Sequence, residues 1–364
     1  MSLRINNLKN IEICQLSDEM FSQLWGNFLE NYPSYSYRYS REYIEVEKTQ
    51  IKNDYVDLSF IVFKDNIPLC IFPLILDISK KYSWYNDLKP LPSPLFSPIL
   101  EKKQFLDLEK ILQEILINLI KKEHIKRLYV LYDPTTFYQY NFNEMFFDRF
   151  GAIDFSCFYS YVNLSLSNEQ RWSKIRNSYK NIINKGLKTY KFNLYDNENI
   201  NEKLEDIFKN MHIKCSGKQN RSDASYKAMF NLIRLRKAYL IEQVYENRIA
   251  QLEILALGKG SAIGASMTTD EDFIYTVPLT HSMNHSICNK LKERGFSMLE
   301  TGYSNFSEDL NFITNDKVRN IRFFKRGFGN ENYLLRKWIW FSSKLEEKKY
   351  YDEQLLKFKK NYDI

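Results

Sequence analysis

Hydrophobic and polar residues alternate along the chain with two different periods, which together predict a mixed fold of helices and strands. From residue 101 to residue 124, apolar residues recur every three or four positions, which predicts a long amphipathic helix. Two apolar segments, 57–63 and 67–76, flank the polar turn 64–66, a pattern typical of a β-hairpin. The other elements predicted in the first half are strands at 11–16 and 126–132 and helices at 17–32 and 41–52.

The second half repeats this order of elements. A second hairpin is predicted from strands at 238–245 and 249–257, and it is followed by further strands, a helix and another strand, as the first hairpin is. The other strands predicted here are 155–164, 189–194, 261–268, 273–277, 297–301 and 333–341. The predicted helices are 168–187, 199–215, 222–237, 281–294 and 314–320.

Short matching motifs indicate an internal repeat. Residues 62–68 match residues 244–250 at an offset of 182 positions (244 minus 62), and Phe-Phe-Asp-Arg-Phe-Gly at 146–151 matches Phe-Phe-Lys-Arg-Gly-Phe-Gly at 323–329. Ordered self-similarity of this kind is the signature of duplicated units. We predict an α+β fold of two homologous domains, each a mixed, mainly antiparallel sheet flanked by helices. The predicted domains are residues 1–154 and 155–343, with a C-terminal helix over residues 344–364.

Composition narrows the class of protein. The chain has 364 residues, 44% of them hydrophobic and 16% aromatic, which predicts a packed globular protein and excludes a disordered one. Its formal charge of +7 favours an anionic partner such as a phosphorylated ligand, an RNA or a membrane surface. The five cysteines are far apart and odd in number, which predicts neither a disulfide framework nor a metal site.

We predict a cytoplasmic protein without a membrane-spanning segment. The N-terminal residues lack the apolar core of a signal peptide. The most apolar segment, residues 67–76, contains two prolines and is too short to cross a bilayer. Peripheral contact with a membrane stays open.

Residues 320–329 carry the most distinctive chemistry, Asn-Ile-Arg-Phe-Phe-Lys-Arg-Gly-Phe-Gly. Arg322, Lys325 and Arg326 alternate there with phenylalanines. Fixed cations beside exposed backbone amides suit a phosphate group or a developing oxyanion. The alternative interpretation is the end of a basic amphipathic helix, anchored by aromatic side chains. A second basic segment, residues 171–191, has seven cations and no acidic residue, and for it the alternative is a solvated surface.

The order of elements resembles the GNAT type of acyltransferase domain, and two such domains in tandem resemble the Fem family of aminoacyl (peptidyl) transferases. The motifs that carry the resemblance are the basic helix 172–187, the hairpin turn 245–250, Lys-Glu-Arg-Gly-Phe at 292–296 and Phe-Lys-Arg-Gly-Phe-Gly at 324–329. The resemblance implies that Lys325 stabilises charge during acyl transfer. It also implies that Arg176, with Lys180 as its neighbour, holds the phosphates of the acceptor. Arg322 and Arg326 are further candidates for binding substrate.

The acyl donor stays open between acyl-CoA and aminoacyl-tRNA. The Gly-rich pyrophosphate loop of acyl-CoA-dependent GNAT enzymes is replaced by Thr-Val-Pro-Leu-Thr-His at 276–281. An acidic-Gly-Gly pattern after the strand that follows the last helix is replaced by Glu300-Thr-Gly302. The coiled-coil hairpin that some tRNA-dependent members carry is not visible in the sequence either.

Transfer to an amine also requires a group that accepts a proton. Glu300 ends a predicted strand, where it is placed to reach a cleft, and Tyr303 follows closely. His281, at the start of a predicted helix, is a second candidate base. The alternatives are a surface carboxylate, a packing tyrosine and a residue that caps a helix. No Ser-His-Asp or Cys-His pattern predicts a covalent intermediate, and no metal is predicted.

Two functions follow from these observations. The first is an acyl- or aminoacyl-transferase that modifies an amino group of a cell-envelope precursor: an amino sugar, a nucleotide sugar or a peptidoglycan-type intermediate. Its acceptor is predicted to be a phosphorylated small molecule or a lipid-linked one. The alternative is a non-catalytic protein that binds nucleic acid such as tRNA on a degenerate tandem acyltransferase fold. A cleft that holds Lys325 together with a carboxylate or a histidine favours the enzyme, whereas a broad basic face without one favours binding.

Overall fold

The structure is a computed structural model, and it describes residues 11–50, 54–83, 91–137, 147, 150–273, 279–303 and 316–362. The strands of the first half are β1 (Ile11–Gln15), β2 (Tyr55–Asp57), β3 (Phe60–Lys64), β4 (Ile67–Phe72), β5 (Ile75–Asp77), β6 (Tyr82–Ser83), β7 (Leu91–Pro92), β8 (Leu95–Phe96) and β9 (Arg127–Tyr132). Its helices are α1 (Phe21–Glu30), α2 (Arg41–Lys48) and α3 (Lys102–Glu123), with a 3-10 turn at Tyr37–Tyr39.

The second half begins with two adjacent strands and then two short helices. Its strands are β10 (Ile153–Asp154), β11 (Cys157–Asn163), β12 (Lys191–Tyr195), β13 (Ala238–Tyr245), β14 (Arg248–Leu257), β15 (Ser261–Thr269), β16 (Met298–Tyr303) and β17 (Glu331–Phe341). Its helices are α4 (Asn168–Lys174), α5 (Asn177–Thr189), α6 (Lys203–Ser216), α7 (Asp223–Arg234), α8 (Leu279–Glu293), α9 (Asp316–Arg326) and α10 (Lys344–Tyr362). Of the strand predicted at 273–277, Phe273 ends a 3-10 turn and the other residues lie outside the described part.

The two hairpins have the same local structure. Both residues of each turn, 65–66 and 246–247, have positive φ angles, between 46° and 64°. In each hairpin, one residue of the second strand bulges out and has no partner in the first strand, two residue pairs beyond the turn. This residue is Leu69 in the first hairpin and Ala250 in the second. The predicted repeat is therefore confirmed. Its offset is 181 positions (247 minus 66), not 182, because the turn geometry and not the matching isoleucines defines the equivalent residues.

The halves also agree in the order of strand pairing, although the first half divides its strands between a four-stranded antiparallel sheet and one end of the long mixed sheet that continues through the second half. β1 pairs with β3, β3 with β4 and β4 with β8, just as β12 pairs with β13, β13 with β14 and β14 with β15. In both halves a helix, α3 or α8, then leads to a strand that pairs in parallel with an earlier strand: β9 with β7 in the first half, and β16 with β15 in the second. The predicted fold class is confirmed.

Strand β17 joins the two halves into one structure. Its first residues, 331–335, pair with β11, and residues 336–341 pair with β9 of the first half. Trp338 and Ile339 consequently complete the hydrophobic core that α3 forms with the first sheet. Because the sheet continues through both halves, the boundary at residue 154 stays a prediction.

Side chains of the two halves also share a core. Tyr43 and Val46 on α2 of the first half are buried in one cluster with Phe230 and Ile233 on α7 of the second half. The C-terminal helix α10 returns to the first half, where Tyr350 is buried in the core beside α3. The guanidinium of Arg127, which is only 1% exposed, donates to carboxylates on α10 and fixes the helix there.

The backbones of the two halves touch at Gly258, in the turn between β14 and β15. A Cβ atom at this position would overlap the carbonyl oxygen of Tyr35 and lie 2.7 Å from the amide nitrogen of Tyr37. Gly26 in α1 is the opposite case, since a Cβ atom there would have nothing within 4 Å.

We therefore expect Gly258→Ala to lower the free energy of unfolding by about 1–3 kcal/mol, the usual effect of overpacking. Gly26→Ala should instead raise it by about 0.5–1 kcal/mol, because alanine restricts the unfolded chain and favours a helix. Urea denaturation of both variants measures the difference. Equal effects of the two substitutions would mean that Gly258 is not a tight contact between the halves.

Candidate active site

A cavity of about 700 Å³ opens in the second half where two parallel strands separate. β15 and β16 pair only through residues 261–263 and 298–300, and β15 carries a bulge against β14 near Ile254. Helices α8 and α9 cover the opening. The polar and charged side chains of the wall are those of Glu253, Thr269, Thr280, His281, Asn284, Glu300, Thr301 and Lys325. Most of the other lining residues are apolar, among them Val162, Ile263, Leu299 and Phe324.

Glu253 lies on β14 and is half-buried in the cavity wall. A Cβ atom on Gly264 of the neighbouring strand would overlap its carboxylate, so this glycine leaves the space that the carboxylate occupies. Burial raises the pKa of Glu253 from 4.5 to about 7, and the positive charge of Lys325 opposes that shift. The carboxyl group therefore exchanges its proton near neutral pH.

Lys325 lies in the last turn of α9, and its ammonium group donates to the carbonyl oxygen of Thr301. That carbonyl is available because Thr301 is left out of the register where Ser160 opposes Gly302 and Tyr161 opposes Glu300. The φ angle of Gly302 is +96°, a conformation that a side chain would strain. Burial lowers the pKa of Lys325, while Glu253 and Glu300 raise it.

Lys325 and Glu253 act on each other electrostatically but do not pair. Within the described residues, neither Glu253 nor Glu300 forms a salt bridge with Lys325, although all three line the cavity. A cation and a proton-exchanging carboxyl group thus face one enclosed space without neutralising each other. Such an arrangement leaves room for the reacting atoms of a ligand between them.

Glu300 is already occupied by a partner. Both of its carboxylate oxygens accept hydrogen bonds from Arg38 of the first half, each at 2.9 Å, and Asp133 contacts the same guanidinium. Burial raises the pKa of Glu300, and the charge of Arg38 opposes this. The sequence predicts that Glu300 reaches a cleft as an acid–base group. It does line the cavity, where it is one member of a buried ion cluster, and its acid–base role stays a prediction.

His281 lines the cavity as well, within a group of aromatic rings. Its ring centroid lies 4.4 Å from that of Tyr179 and 4.8 Å from that of Phe324, and burial lowers its pKa. Tyr303 ends β16 opposite Tyr159, and its side chain lies outside the described part. Both residues stay predictions as acid–base groups.

The predicted helix 168–187 is broken in two at Ile175 and Arg176, which have extended backbones. Arg171 and Lys174 belong to α4, whereas Arg176 is the N-cap residue of α5, the helix that carries Lys180. The guanidinium of Arg176 lies over the rings of Tyr179 and Phe323, and its charge contributes to lowering the pKa of Arg326. Lys180 donates to the side chain of Asn177.

These four cations lie outside the wall of the cavity. Arg176, Lys180, Arg322 and Arg326 are absent from its lining, whereas Lys325 belongs to it. Arg176 and Arg326 are close to each other and to Phe323 and Phe324, at the end of α9 that carries Lys325. They stay predictions as ligand-binding residues.

A metal cluster and a membrane-spanning helix are both absent from the described part of the chain. No group of three or more histidine, cysteine, aspartate or glutamate side chains there is placed to hold a metal ion. No helix in these segments combines the length and the apolar character needed to cross a membrane.

Several solved structures share this architecture. FemX superposes with a TM-score of 0.62 at 10% identity, covering 91% of this chain and 97% of that one. The C-terminal domain of a putative lysylphosphatidylglycerol synthetase from Agrobacterium fabrum gives 0.57 at 10% identity, covering 87% and 90%. A tandem GNAT protein from the clavulanic acid biosynthesis pathway gives 0.51 at 12% identity, covering 92% and 99%. No family model and no curated protein matches the sequence.

This chain has the tandem GNAT fold. The resemblance predicted from the motifs is confirmed at the level of the fold by structures that share 10–12% of its residues. In this tandem GNAT fold the cavity belongs to the second repeat.

Glu253 is not among the site residues predicted from the sequence, although the sequence contains a pattern that singles it out. It is the only charged residue in the segment Ala250-Gln-Leu-Glu-Ile-Leu-Ala-Leu257, which otherwise resembles a buried strand. A single carboxylate in such a strand is costly unless it has a partner or a function. Arg38 was missed because no local pattern connects it to residue 300.

The raised pKa of Glu253 predicts how stability depends on pH. Because the folded state favours the protonated form, the stability contributed by this group is fully present below pH 4.5 and is lost as pH rises through about 7. Glu253→Gln removes the titration, so its stability advantage over the wild type should grow to about 3 kcal/mol at pH 8. Urea denaturation at pH 4.5 and pH 8 measures it. Parallel pH dependences for both proteins would refute the assignment.

Proposed function

We propose that this protein is an enzyme that transfers an acyl or aminoacyl group to an amino group by direct attack, without a covalent enzyme intermediate. The observation that carries the proposal is the pair formed by Lys325 and Glu253, which face one cavity and do not neutralise each other. The tandem GNAT fold, shared with FemX, agrees with this chemistry.

The two residues supply the two requirements of the reaction. The attacking amine must lose a proton, and Glu253, with a pKa of about 7, accepts it near neutral pH. The carbonyl oxygen of the donor gains negative charge, and the ammonium group of Lys325 stabilises it. The nitrogen–carbon bond forms while the ester or thioester bond breaks, and the leaving group takes up a proton. His281 is the second candidate for the base.

For the substrates, we propose acyl-CoA or aminoacyl-tRNA as donor and a phosphorylated or lipid-linked cell-envelope precursor as acceptor. Two neighbours support these classes by their names: one is a putative lysylphosphatidylglycerol synthetase, and the other is a tandem GNAT protein whose structure was determined without AcCoA. The guanidinium groups of Arg176 and Arg326, whose charges act on each other, suit a phosphate group on the acceptor. We also propose a cytoplasmic location.

The cavity favours the enzyme over the non-catalytic nucleic-acid-binding alternative. That alternative predicts a basic surface without an enclosed site, whereas Lys325 shares a cavity with two carboxylates and a histidine. A thermal-shift screen of acyl-CoAs, nucleotide sugars and aminoacyl-tRNA identifies the substrates, because a ligand that binds the native state raises its apparent stability. If only nucleic acid gives a shift and no transfer product forms, the enzyme proposal is wrong.

Once a substrate pair is found, Lys325→Met should lower kcat by roughly ten- to a thousand-fold, the usual effect of removing one donor to an oxyanion. The side chain keeps its length and loses its charge. Lys48→Met is the matched control: Lys48 is also a buried lysine, but it pairs with Glu45 and Asp57 and lies outside the cavity wall, so turnover should persist. Native turnover in Lys325→Met would end this assignment.

The pH profile tests the base separately. Wild-type kcat/KM should rise with pH through about 7, because only the ionised carboxylate of Glu253 accepts the proton. In Glu253→Gln this rise should disappear and the rate should fall by about a hundred-fold or more. If His281→Ala, and not Glu253→Gln, abolishes the rise, then His281 is the base.

Arg176→Ala tests the proposed phosphate site. A phosphate group is held alike in the ground state and the transition state, so the apparent KM for the acceptor should rise more than kcat falls. Lys180→Ala should have a smaller effect, because its ammonium group already donates to the side chain of Asn177. An unchanged KM in Arg176→Ala would remove this residue from the acceptor site.

A further inference from the structure

The first half contributes a charged group, Arg38, that holds a lining residue of the cavity in the second half. Arg38 follows the segment that meets the turn between β14 and β15, and it donates to both oxygens of Glu300 and to Asp133. The side chains of Arg38, Glu300 and Asp133 are 12%, 3% and 0% exposed. The guanidinium also bonds the hydroxyl oxygen of Ser36 and lies 4.5 Å from the ring centre of Tyr37, so its position is fixed from several sides.

Lys325 interacts electrostatically with Glu300, but its hydrogen bond goes to the next residue, Thr301. Its ammonium group donates to the carbonyl oxygen of Thr301, and Glu300 raises its pKa without pairing with it. Among the described residues, the charged groups that interact with Glu300 are Arg38, Asp133, Lys325 and Lys337, and the phenols of Tyr37, Tyr43, Tyr159 and Tyr161 interact with it too. Of these groups, only Arg38 bonds both oxygens of the carboxylate.

We infer that Arg38 is a positioning residue that occupies Glu300 and so prevents this carboxylate from capturing the ammonium group of Lys325. The first half then does more than support the second: it keeps the cation directed at the cavity. The purpose of this role depends on the proposed function, because the direction of the ammonium group matters only where a ligand develops negative charge.

Removal of Arg38 has a defined electrostatic consequence. Glu300 and Asp133 would lose their shared cation inside the protein, and a buried carboxylate without a partner is costly. Lys325 is the cation on the cavity side that is able to turn toward Glu300. An ion pair between them would raise the pKa of Lys325, since a nearby opposite charge favours the ionised form.

The state of the amine is measured directly by trace labelling with acetic anhydride, followed by digestion and mass spectrometry of the peptide that contains Lys325. Only the unprotonated amine reacts. A rise of about one pKa unit, the lower end of the effect of an adjacent opposite charge, makes labelling about ten-fold slower at any pH well below both pKa values. We therefore expect about ten-fold slower labelling of Lys325 in Arg38→Met than in the wild type.

Arg41→Met is the matched control. Arg41 lies three positions away, its side chain is 15% exposed, and it pairs at 2.6 Å with Asp57, which is 4% exposed. Its loss also breaks an ion pair with a buried carboxylate, but it should leave the labelling of Lys325 unchanged. Equal effects of the two variants would mean that general loosening, and not release of Glu300, changes the amine, and the inference would be wrong.

The double variant Arg38→Met/Glu300→Gln isolates the carboxylate. If the freed charge of Glu300 captures Lys325, the amide should restore labelling to within about two-fold of the wild type. If labelling of Lys325 stays slow in the double variant, the inference is wrong. It is also wrong if Arg38→Met leaves the labelling of Lys325 unchanged and slows that of Lys337.

Where Arg38→Met does not fold, Arg38→Lys provides the same test, with a smaller slowing in the same direction because one ammonium group cannot hold both oxygens. Labelling needs no substrate and no turnover. The role of Arg38 is therefore decided even if the protein transfers no acyl group, and a failure of the proposed function is distinguished from a failure of this inference.

Discussion

The structure depends on one strand that serves both halves. Along β17, residues 331–335 pair with β11 of the second half, and residues 336–341 pair with β9 of the first half. Because the backbone of β17 is hydrogen-bonded to both halves, the halves cannot separate unless β17 loses its pairing with one of them. Because α9 ends only a few residues before β17, this pairing also limits where Lys325 can lie. Asn330, between the two elements, donates to the hydroxyl of Thr301 at 2.7 Å, beside the carbonyl that Lys325 contacts.

The cavity combines this rigid frame with charges that are only partly balanced. Glu300 and Asp133 share a guanidinium, while Glu253 has no ion pair within the described residues and a pKa near neutrality. A fold optimised for stability alone would not keep a carboxylate in such a position, because its ionisation opposes folding. Gly264 keeps the space open for it, at the point where β15 bulges away from β14. Strain and imperfect pairing of this kind concentrate at functional sites.

Duplication explains the architecture, and divergence explains how the two halves differ around their equivalent hairpins. The hairpins, their bulged residues and the order of strands are equivalent in the two halves. The first half, however, places short strands and prolines where the second has the long strand β15. It contributes instead Arg38, a shared core through α2 and the partner strand for β17. One repeat thus supplies the side chains that line the cavity, and the other supplies their support.

The sequence by itself determined the elements and their repetition, because periodicity and turn chemistry are local: the hairpin turns, the stripe of α3 and the position of Lys325 near a helix end are all visible in short segments. It also pointed to Lys325, His281 and Glu300, which the fold does bring to one cavity. Only the tertiary structure decided that Glu300 is bound by Arg38, 262 positions away, that Glu253 faces Lys325, and that Arg176 lies at a break between two helices. Burial and pairing set the charge of each group, and both depend on contacts between segments far apart in the chain. No local pattern encodes those contacts.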